Sequence, residues 1–298
     1  MSMILFSLPG NEDLTRSLAS KLEAETGEAV TRRFPDGESY IRILSEVKDK
    51  QVVLVCTLHQ PDLKLLPLYF LARTAREMGA SKVCLIAPYL AYMRQDKQFN
   101  PGEAVTSRYF AELISNTVGN LITIDPHLHR FHHMHELYSI PATSLHAAPV
   151  LASWIRNNVQ KPLLIGPDEE SLQWVSEVAS LAGAPYLVLN KTRLGDEEVQ
   201  VTLPEINSYP DHTPVLVDDI ISTARTMIET VQHLKQLTPQ PPVCIGVHAV
   251  FAEGAFEALK KSGAAQVVTC NSIPHESNRI YIDELLAKAV ISAEAHNG

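Results

Sequence analysis

Short runs of apolar, partly β-branched residues recur along the chain, and segments with apolar positions three and four residues apart lie between them. Such runs are typical of strands buried on both faces, whereas the wider spacing indicates helices with one buried side. Since the two patterns alternate over short connections, they predict an α/β fold built on doubly wound parallel sheets. Ligands of such sheets bind at the carboxyl ends of the strands, so we expect the functional residues there.

The alternation occurs in two series, separated by a change of composition between Pro141 and Pro149. Strands are predicted at residues 3–8, 40–43, 52–57, 82–87 and 121–125 in the first series, and at 163–165, 186–189, 199–203, 215–217, 243–250 and 267–270 in the second. Helices are predicted from Asn11, over 62–78, from Glu103, and over 150–155, 174–181, 227–234 and 283–296. We therefore predict two similar domains, 1–145 and 146–298, with the last helix packing back on the first.

The composition narrows the class of protein. With 298 residues the chain is too long for one typical domain, and its 45% of apolar residues suffices for two cores. The net charge of −9 argues against a general binder of nucleic acid or anionic membranes. We interpret the four cysteines, which lie in strand-like runs, as buried thiols of a reducing compartment. We find no signal peptide and no apolar run of membrane-spanning length, so we predict a cytoplasmic protein.

The stretch 215–226 combines a buried strand, two acids, a hydroxyl-rich turn and the start of a helix. A helix N-terminus and Ser or Thr hydroxyls can donate hydrogen bonds to a phosphate. Asp218 and Asp219 would repel that phosphate, but they suit the vicinal diol of a sugar, or a metal that the sugar also contacts. The stretch therefore matches the polar outline of ribose 5-phosphate. The alternative is an ordinary strand end followed by a helix that Ser222 or Thr223 caps.

Two segments of the first series have the residue types that ATP requires. On either side of a Pro-Asp-Gly turn, Phe34 offers a stacking face, and Asp36 and Glu38 offer the acceptors that an adenine amino group needs. Beyond the next strands, Arg94 and Lys97 are cations that would meet a polyphosphate. The alternatives are a surface hairpin for the first segment and a solvated charged loop for the second.

Other strand ends carry further candidates. Five histidines lie between His127 and His135, but their spacing matches no familiar zinc motif, so we disfavour a dedicated zinc site. Asp168 follows the carboxyl end of a predicted strand. Lys191 and Arg193 fall on one face of a predicted β-ribbon, because side chains alternate along a strand. Ordinary surface cations are the alternative interpretation of these two residues.

Several of these segments, in chain order, resemble those of ribose-phosphate pyrophosphokinases. The stretch 215–226 resembles the phosphoribosyl-pyrophosphate (PRPP) signature that they share with type I phosphoribosyltransferases, except that Arg225 replaces the usual Gly. The other similar segments are Phe34 to Glu38, Pro88 to Asp96, Asp125-Pro126-His127, Asp168 with Glu169-Glu170-Ser171 in place of small residues, Lys191-Thr192-Arg193, His248 to Phe251, and Asn271-Ser272-Ile273-Pro274. The resemblance covers nearly the whole chain and implies two domains of the type I phosphoribosyltransferase-like fold.

The resemblance also implies an activity. The implied enzyme uses Mg²⁺ and transfers the β,γ-diphosphoryl group of ATP to the 1-hydroxyl of ribose 5-phosphate, giving PRPP and AMP for nucleotide biosynthesis. It would be a homo-oligomer based on dimers, of two, four or six subunits, since the hairpin segment of the family serves an ATP site across a subunit boundary. The implied residues are Lys191 and Arg193 for catalysis, Phe34, Asp36, Glu38, Arg94 and Gln95 for ATP, His127 and Asp168 for the metal, and Asp218, Asp219, Ser222, Thr223, Ala224, Arg225 and Thr226 for ribose 5-phosphate.

Two other functions agree with parts of this pattern. A type I phosphoribosyltransferase would use the stretch 215–226, but it would need neither Arg94 and Gln95 nor the two ribbon cations. A regulatory subunit with a decayed site would account for Arg225 and for Glu169-Glu170, although the ribbon cations, which it would not need, are present.

Overall fold

The computed structural model describes residues 2–128, 130–131, 133–167, 171–193, 199–202 and 206–295, and for 190–193, 199–202 and 294–295 it describes the backbone alone. The chain divides into two compact units. The first contains Met1–Leu145, Ser272–Pro274 and the segment that begins at Ile282, and the second contains His146–Asn271 and His275–Tyr281. Each unit has its own six-stranded sheet.

The first unit alternates strands and helices along the chain. In order, these are β1 (Met3–Ser7), α1 (Glu12–Lys21), β2 (Glu25–Thr26), β3 (Ala29–Arg33), β4 (Ser39–Ile43), β5 (Gln51–Val55), α2 (Leu65–Glu77), β6 (Lys82–Ala87), α3 (Thr106–Thr117), β7 (Asn120–Ile124) and β8 (Ala142–Leu145). The parallel sheet has the order β2-β1-β5-β6-β7-β8, while β3 and β4 form a separate antiparallel hairpin. Every residue of β5 and β7 is buried, as expected for the inner strands of a parallel sheet.

The second unit repeats this alternation. Its elements are α4 (Ala148–Asn158), β9 (Pro162–Gly166), α5 (Leu172–Ala182), β10 (Tyr186–Val188), β11 (Asn190–Arg193), β12 (Val199–Thr202), β13 (Thr213–Ile221), α6 (Arg225–Leu237), β14 (Val243–Ala249), α7 (Ala255–Ser262), β15 (Gln266–Cys270) and β16 (Asn278–Ile280). The parallel sheet has the order β10-β9-β13-β14-β15-β16. Between β10 and β13 in the sequence, β11 and β12 form a separate antiparallel ribbon.

The last helix, α8 (Asp283–Ala295), belongs to the first unit. Asp283 accepts a hydrogen bond from the Ser17 hydroxyl of α1 at 2.6 Å, and Glu284 pairs with Lys21 at 3.3 Å. The chain therefore returns to the first unit after it has completed the second. Neither α8 nor any other helix in the described ranges has the length and apolar character needed to cross a membrane.

The doubly wound parallel sheets predicted from the apolar pattern are confirmed, but some bounds differ. α3 begins at Thr106 rather than at Glu103, because the Glu103 carboxylate accepts the N–H groups of Phe99 and Asn100 at 2.8 and 3.0 Å and holds a turn before the helix. β13 continues through the acid pair to Ile221, where it still pairs with β14. The outer strands β2, β8 and β16 were not predicted, because they are short and lack an apolar run.

The cysteines lie inside the two units. Cys56, Cys84, Cys244 and Cys270 are all buried free thiols. Burial raises the pKa of Cys56 and that of Cys244 to about 12. These two thiols therefore remain protonated and unreactive at neutral pH. Buried thiols are confirmed, whereas the reducing compartment stays a prediction.

Gly246 on β14 helps to fix the end of the strand that carries the two acids. It pairs with Asp218, and a Cβ atom at Gly246 would lie 2.6 Å from both Cδ1 and Cγ1 of Ile221. Ile221 is buried in the core of the second unit and has little room to move aside. We expect Gly246→Ala to lower the free energy of unfolding in urea by about 1–3 kcal/mol. Ile221→Val, which removes Cδ1, should restore part of that loss, and equal stability of Gly246→Ala and the parent would contradict this packing.

Candidate active site

The predicted ribose-phosphate segment lies at the carboxyl end of β13, which pairs with β9 and β14 inside the second sheet. Asp218 and Asp219 are half-buried, and they lie within the strand rather than after it as the sequence suggested. The Asp218 carboxylate accepts the N–H group of Asp219 at 3.0 Å. A rigid strand therefore holds both acids where parallel sheets bind their ligands.

The chain enters α6 through a residue in the left-handed region. That residue is Ala224, with φ of 58°, and it is buried. Arg225 is the first residue of the helix and is exposed, so its backbone does not need the freedom of the Gly that usually stands there. Arg225 is therefore compatible with the local fold, and its side chain is open to solvent.

In the described ranges, no side chain caps α6. Its N-cap residue is Ala224, so the alternative in which Ser222 or Thr223 caps the helix is wrong. Within the described part of the chain, the hydroxyls of Ser222 and Thr223 make no hydrogen bond, although the Ser222 carbonyl anchors the turn by accepting the N–H of Ala252 at 3.1 Å. Two hydroxyl donors and the first N–H groups of a helix are thus left for a ligand.

The predicted polyphosphate segment follows β6 in the first unit. Gln95 is held against the start of α3, because its carbonyl accepts the N–H of Ser107 at 3.3 Å and its side-chain oxygen accepts the Thr106 hydroxyl at 3.4 Å. Arg94 is exposed, and the Lys97 ammonium lies 4.9 Å from the centre of the Phe99 ring. The segment therefore presents cations to solvent from a fixed backbone.

An ion pair links this segment to the loop after β7. Arg130 Nε lies 3.3 Å from Asp96 Oδ1, and the Asp96 side chain is nearly buried. The loop after β7 also carries His127, which is half-buried. Since β6 and β7 are neighbours in the sheet, Arg94, Gln95 and His127 lie in the loops that follow two adjacent strands. The Asp96–Arg130 pair could not be predicted from the sequence, because only the folded sheet brings its two loops together.

The segment around Phe34 forms the turn of the β3–β4 hairpin. The Phe34 N–H donates to the Glu38 carbonyl at 2.8 Å, and the Asp36 carboxylate accepts the Glu38 N–H at 3.1 Å. Arg32 lies over the rings of both Phe34 and Tyr40, at 4.7 and 4.3 Å from their centres. Phe34 remains 39% exposed, so part of its ring is open for stacking.

Not all predicted residues come together. Within the described residues, no hydrogen bond or ion pair joins the hairpin turn to Arg94 or Gln95. Lys191 and Arg193 lie in β11, and the predicted ribbon is present, but their side chains lie outside the description. Asp168, Glu169 and Glu170 lie outside the described residues altogether.

A half-buried cation, Lys64, lies near the carboxyl end of β5, and the sequence pattern did not indicate it. Lys64 Nζ donates to the Thr57 carbonyl at 2.8 Å and to His59 Nδ1 at 2.9 Å. Burial lowers the pKa of Lys64, and burial together with the Lys64 charge lowers the pKa of His59 to about 4. At neutral pH, His59 is therefore a neutral acceptor beside a protonated lysine.

This arrangement makes stability depend on pH. The unfolded chain protonates His59 near its ordinary pKa of about 6.5, whereas the folded chain does so only near 4. The stability that neutral His59 contributes is therefore fully present above pH 6.5, the pKa in the unfolded chain, and it is lost as the pH falls from there to about 4, the pKa in the folded chain. Because His59 is partly solvated, we expect a loss of about 1–2 kcal/mol relative to His59→Gln in urea denaturation. Parallel stability profiles of the two proteins between neutral pH and pH 4 would contradict this assignment.

Comparison with known proteins extends the resemblance to the whole chain. Residues 3–119 match the family described as the N-terminal domain of ribose phosphate pyrophosphokinase, and residues 133–284 match the phosphoribosyl transferase domain. A ribose-phosphate pyrophosphokinase of Methanopyrus kandleri is 33% identical over 97% of this chain and 98% of its own length. That of Methanobrevibacter smithii is 28% identical over 94% of this chain and 97% of its own.

The fold agrees with these matches. The crystal structure of phosphoribosylpyrophosphate synthetase from Mycobacterium smegmatis superimposes with a TM-score of 0.85 over the full length of both chains, at 23% identity. This likeness confirms the predicted pair of type I phosphoribosyltransferase-like domains. The full-length relative at 33% identity supports the same family. The chain belongs to the ribose-phosphate pyrophosphokinase family of enzymes.

Proposed function

We propose that the chain converts ATP and ribose 5-phosphate into PRPP and AMP, in the cytoplasm, for nucleotide biosynthesis. The oxygen of the sugar's 1-hydroxyl attacks the β-phosphorus of ATP, and the bond from that phosphorus to the α-phosphate oxygen breaks. The hydroxyl loses its proton, and AMP leaves with the electron pair of the broken bond. The full-length relatives from Methanobrevibacter smithii and Methanopyrus kandleri are named as ribose-phosphate pyrophosphokinases, which supports this reaction.

One observation carries the proposal: the turn after β13 combines two acids with donors that the fold itself does not use. Asp218 and Asp219 precede a helix that no side chain caps, and the hydroxyls of Ser222 and Thr223 make no hydrogen bond within the described residues. Ser222 is half-buried and Thr223 is exposed, so both hydroxyls and the N-terminus of α6 are accessible to a phosphate. Unused donors beside two acids therefore favour a ligand that has both a phosphate and a diol.

The sugar phosphate would be held at both of its ends. The 5-phosphate would accept hydrogen bonds from Ser222, Thr223, Thr226 and the first N–H groups of α6, with Arg225 as an exposed cation nearby in sequence. The acid pair would accept the 2- and 3-hydroxyls. Holding both ends fixes the 1-hydroxyl for attack, and positioning is a large part of catalysis in phosphoryl-type transfer.

The ATP side would use residues of the first unit. The cation Arg94 and the fixed amide Gln95 would contact the nucleotide, and the exposed face of Phe34 would stack on adenine while Asp36 and Glu38 accept its amino group. Because the hairpin turn resembles the family segment that serves an ATP site across a subunit boundary, we propose that it serves the ATP site of a partner subunit. The enzyme would then be a homo-oligomer based on dimers.

The donor set fits a magnesium ion that the substrate holds in part. Mg²⁺ usually binds through one or two protein ligands, substrate phosphates and several waters rather than in an all-protein cage. We propose His127 and Asp168 as the protein ligands. When bound, the ion would neutralise charge on the transferring group.

The cations of the β11–β12 ribbon would complete the site. Lys191 and Arg193 alternate along β11 with Thr192. Side chains two residues apart in a strand share a face, so one ligand could meet both cations. We propose that they stabilise the negative charge that gathers on the β-phosphate oxygens in the transition state.

The test of the proposal is the formation of AMP and PRPP from ATP, ribose 5-phosphate and Mg²⁺, with each component omitted in turn. We expect AMP and PRPP in equal amounts, and neither when one component is missing. A second reaction, PRPP with a free purine or pyrimidine base, tests the phosphoribosyltransferase alternative. Release of pyrophosphate in that reaction without any PRPP synthesis would overturn the proposal.

A further inference from the structure

A cleft of about 260 Å³ lies in the first unit, between the hairpin and the start of α2. Arg32 and Arg33 of β3 line one side, and Lys64 lines the other. Leu8, Pro9 and Pro67 contribute apolar wall. None of these residues belongs to the sites assigned above to ATP, ribose 5-phosphate or Mg²⁺, so the cleft is not accounted for by the reaction.

The charges of this cleft are unbalanced. Among the residues that the structure describes, the three ionisable side chains that line the cleft are all cations, and no carboxylate lines it. Within the described residues, none of the three forms an ion pair with an acid. His59, which accepts a hydrogen bond from Lys64, is neutral and does not balance its charge. Three like charges around one small volume repel each other unless an anion lies between them.

Contacts with neighbouring residues orient these cations, and each cation has N–H groups that make no hydrogen bond within the described residues. Lys64 uses two of its three N–H groups, on Thr57 and His59, and its side chain is half-buried. Arg33 donates one N–H to the Leu63 carbonyl at 3.2 Å, across the cleft, and four remain. Arg32 is fixed over the Phe34 and Tyr40 rings, which leaves the donors in the guanidinium plane available. Arg32 and Arg33 are exposed, but these contacts orient their guanidinium groups, and oriented donors lose less entropy on binding than unconstrained ones.

We propose that this cleft binds a small organic phosphate, with its phosphate group held by Arg33, Lys64 and Arg32 and its organic part against Leu8, Pro9 and Pro67. Charge-assisted hydrogen bonds from guanidinium and ammonium groups are the usual way in which proteins hold phosphate. The volume exceeds what a lone phosphate would fill, since one water occupies about 30 Å³ of liquid. The organic part of the ligand would fill the remaining space, which the apolar residues line.

Calorimetric titration of the full-length protein with glycerol 3-phosphate, in EDTA and without ATP or ribose 5-phosphate, tests the proposal. The cleft variant is Arg33→Gln/Lys64→Gln, and the matched control is Arg42→Gln, an exposed arginine of β4 that does not line the cleft. We expect the parent and the control to bind alike and the cleft variant to bind at least about tenfold more weakly. Binding elsewhere in the chain is common to all three proteins and cancels in this comparison.

Because Lys64 precedes α2, its replacement could unfold the region, so Arg32→Gln/Arg33→Gln is a second cleft variant, and thermal melting verifies that each variant folds. Equal affinity of the parent and a folded cleft variant would overturn the proposal, as would glycerol binding as tightly as glycerol 3-phosphate. Titration with orthophosphate distinguishes the source of the phosphate group. Tighter binding of glycerol 3-phosphate than of orthophosphate supports an organic ligand, whereas equal affinity for the two would overturn the proposed role of the apolar wall. No turnover is measured, so failure here is separate from failure of the proposed reaction.

Discussion

Replacement of Lys191 by alanine is expected to lower kcat for PRPP formation by about 100- to 1000-fold, while the KM values for ATP and ribose 5-phosphate change little. The reason is that the negative charge on the transferring group reaches its maximum in the transition state, and a cation placed there acts mainly at that point. A lysine that bound only the ground state would instead change KM and leave kcat intact.

The matched control is Lys261→Ala, which removes an exposed lysine near the end of α7 without touching the ribbon. It should leave both kinetic constants unchanged. Arg193→Ala should resemble Lys191→Ala, and the double variant should lose less than the product of the two single effects, because the two cations act on the same group. If Lys191→Ala turns over like the parent, the ribbon has no catalytic role and the two residues are surface cations.

Replacement of Asp219 by asparagine is expected to raise the KM for ribose 5-phosphate by about 10- to 100-fold, with a smaller effect on the KM for ATP. Asparagine keeps the shape of the side chain but removes the charge and one acceptor, so the hydrogen bonds to the sugar hydroxyls weaken by about 1.5–3 kcal/mol. Asp218→Asn should act in the same direction, because both acids lie at the same strand end. Steady-state kinetics with each substrate varied in turn separates the two KM values.

The control for this prediction is Asp211→Asn, an exposed acid shortly before β13 whose side chain lies 3.8 Å from Lys161. Such exposed pairs contribute little to stability, and this one is absent from the proposed site. A KM for ribose 5-phosphate that rises equally in Asp211→Asn and Asp219→Asn would indicate a general effect of charge. An unchanged KM in Asp219→Asn would remove the acid pair from the sugar site.

The sheets could be predicted because their inner strands are mostly apolar, and in β5 and β7 the only polar positions are Gln51, Asn120 and Thr123. β5 and β7 are buried at every residue, and that burial requires the apolar runs that the sequence shows. The last part of β13 could not be predicted in this way, because its acids interrupt the apolar run. There the strand is maintained by backbone pairing with β14 up to Ile221, and backbone hydrogen bonds leave no signal in side-chain polarity.

The candidate site shows a similar division. The acid pair and hydroxyls of the stretch 215–226 could be found because they are consecutive in the sequence. The position of the left-handed residue could not be found in this way, because Ala224 has a positive φ and alanine is not a residue type that favours such a conformation. The Asp96–Arg130 pair and the Lys64–His59 contact depend on loops that only the folded sheet brings together. The cleft proposed to bind an organic phosphate is of this second kind.

The central claim is that the β,γ-diphosphoryl group moves as one unit to the 1-hydroxyl of ribose 5-phosphate. Phosphorus-31 NMR of the complete reaction tests it directly, because each phosphorus of reactants and products has its own signal. We expect the ATP signals to decrease while the signals of the PRPP diphosphate and of the AMP phosphate increase together in equal amounts. Formation of ADP with a singly phosphorylated sugar product, or no change in a mixture that binds both substrates, would contradict it.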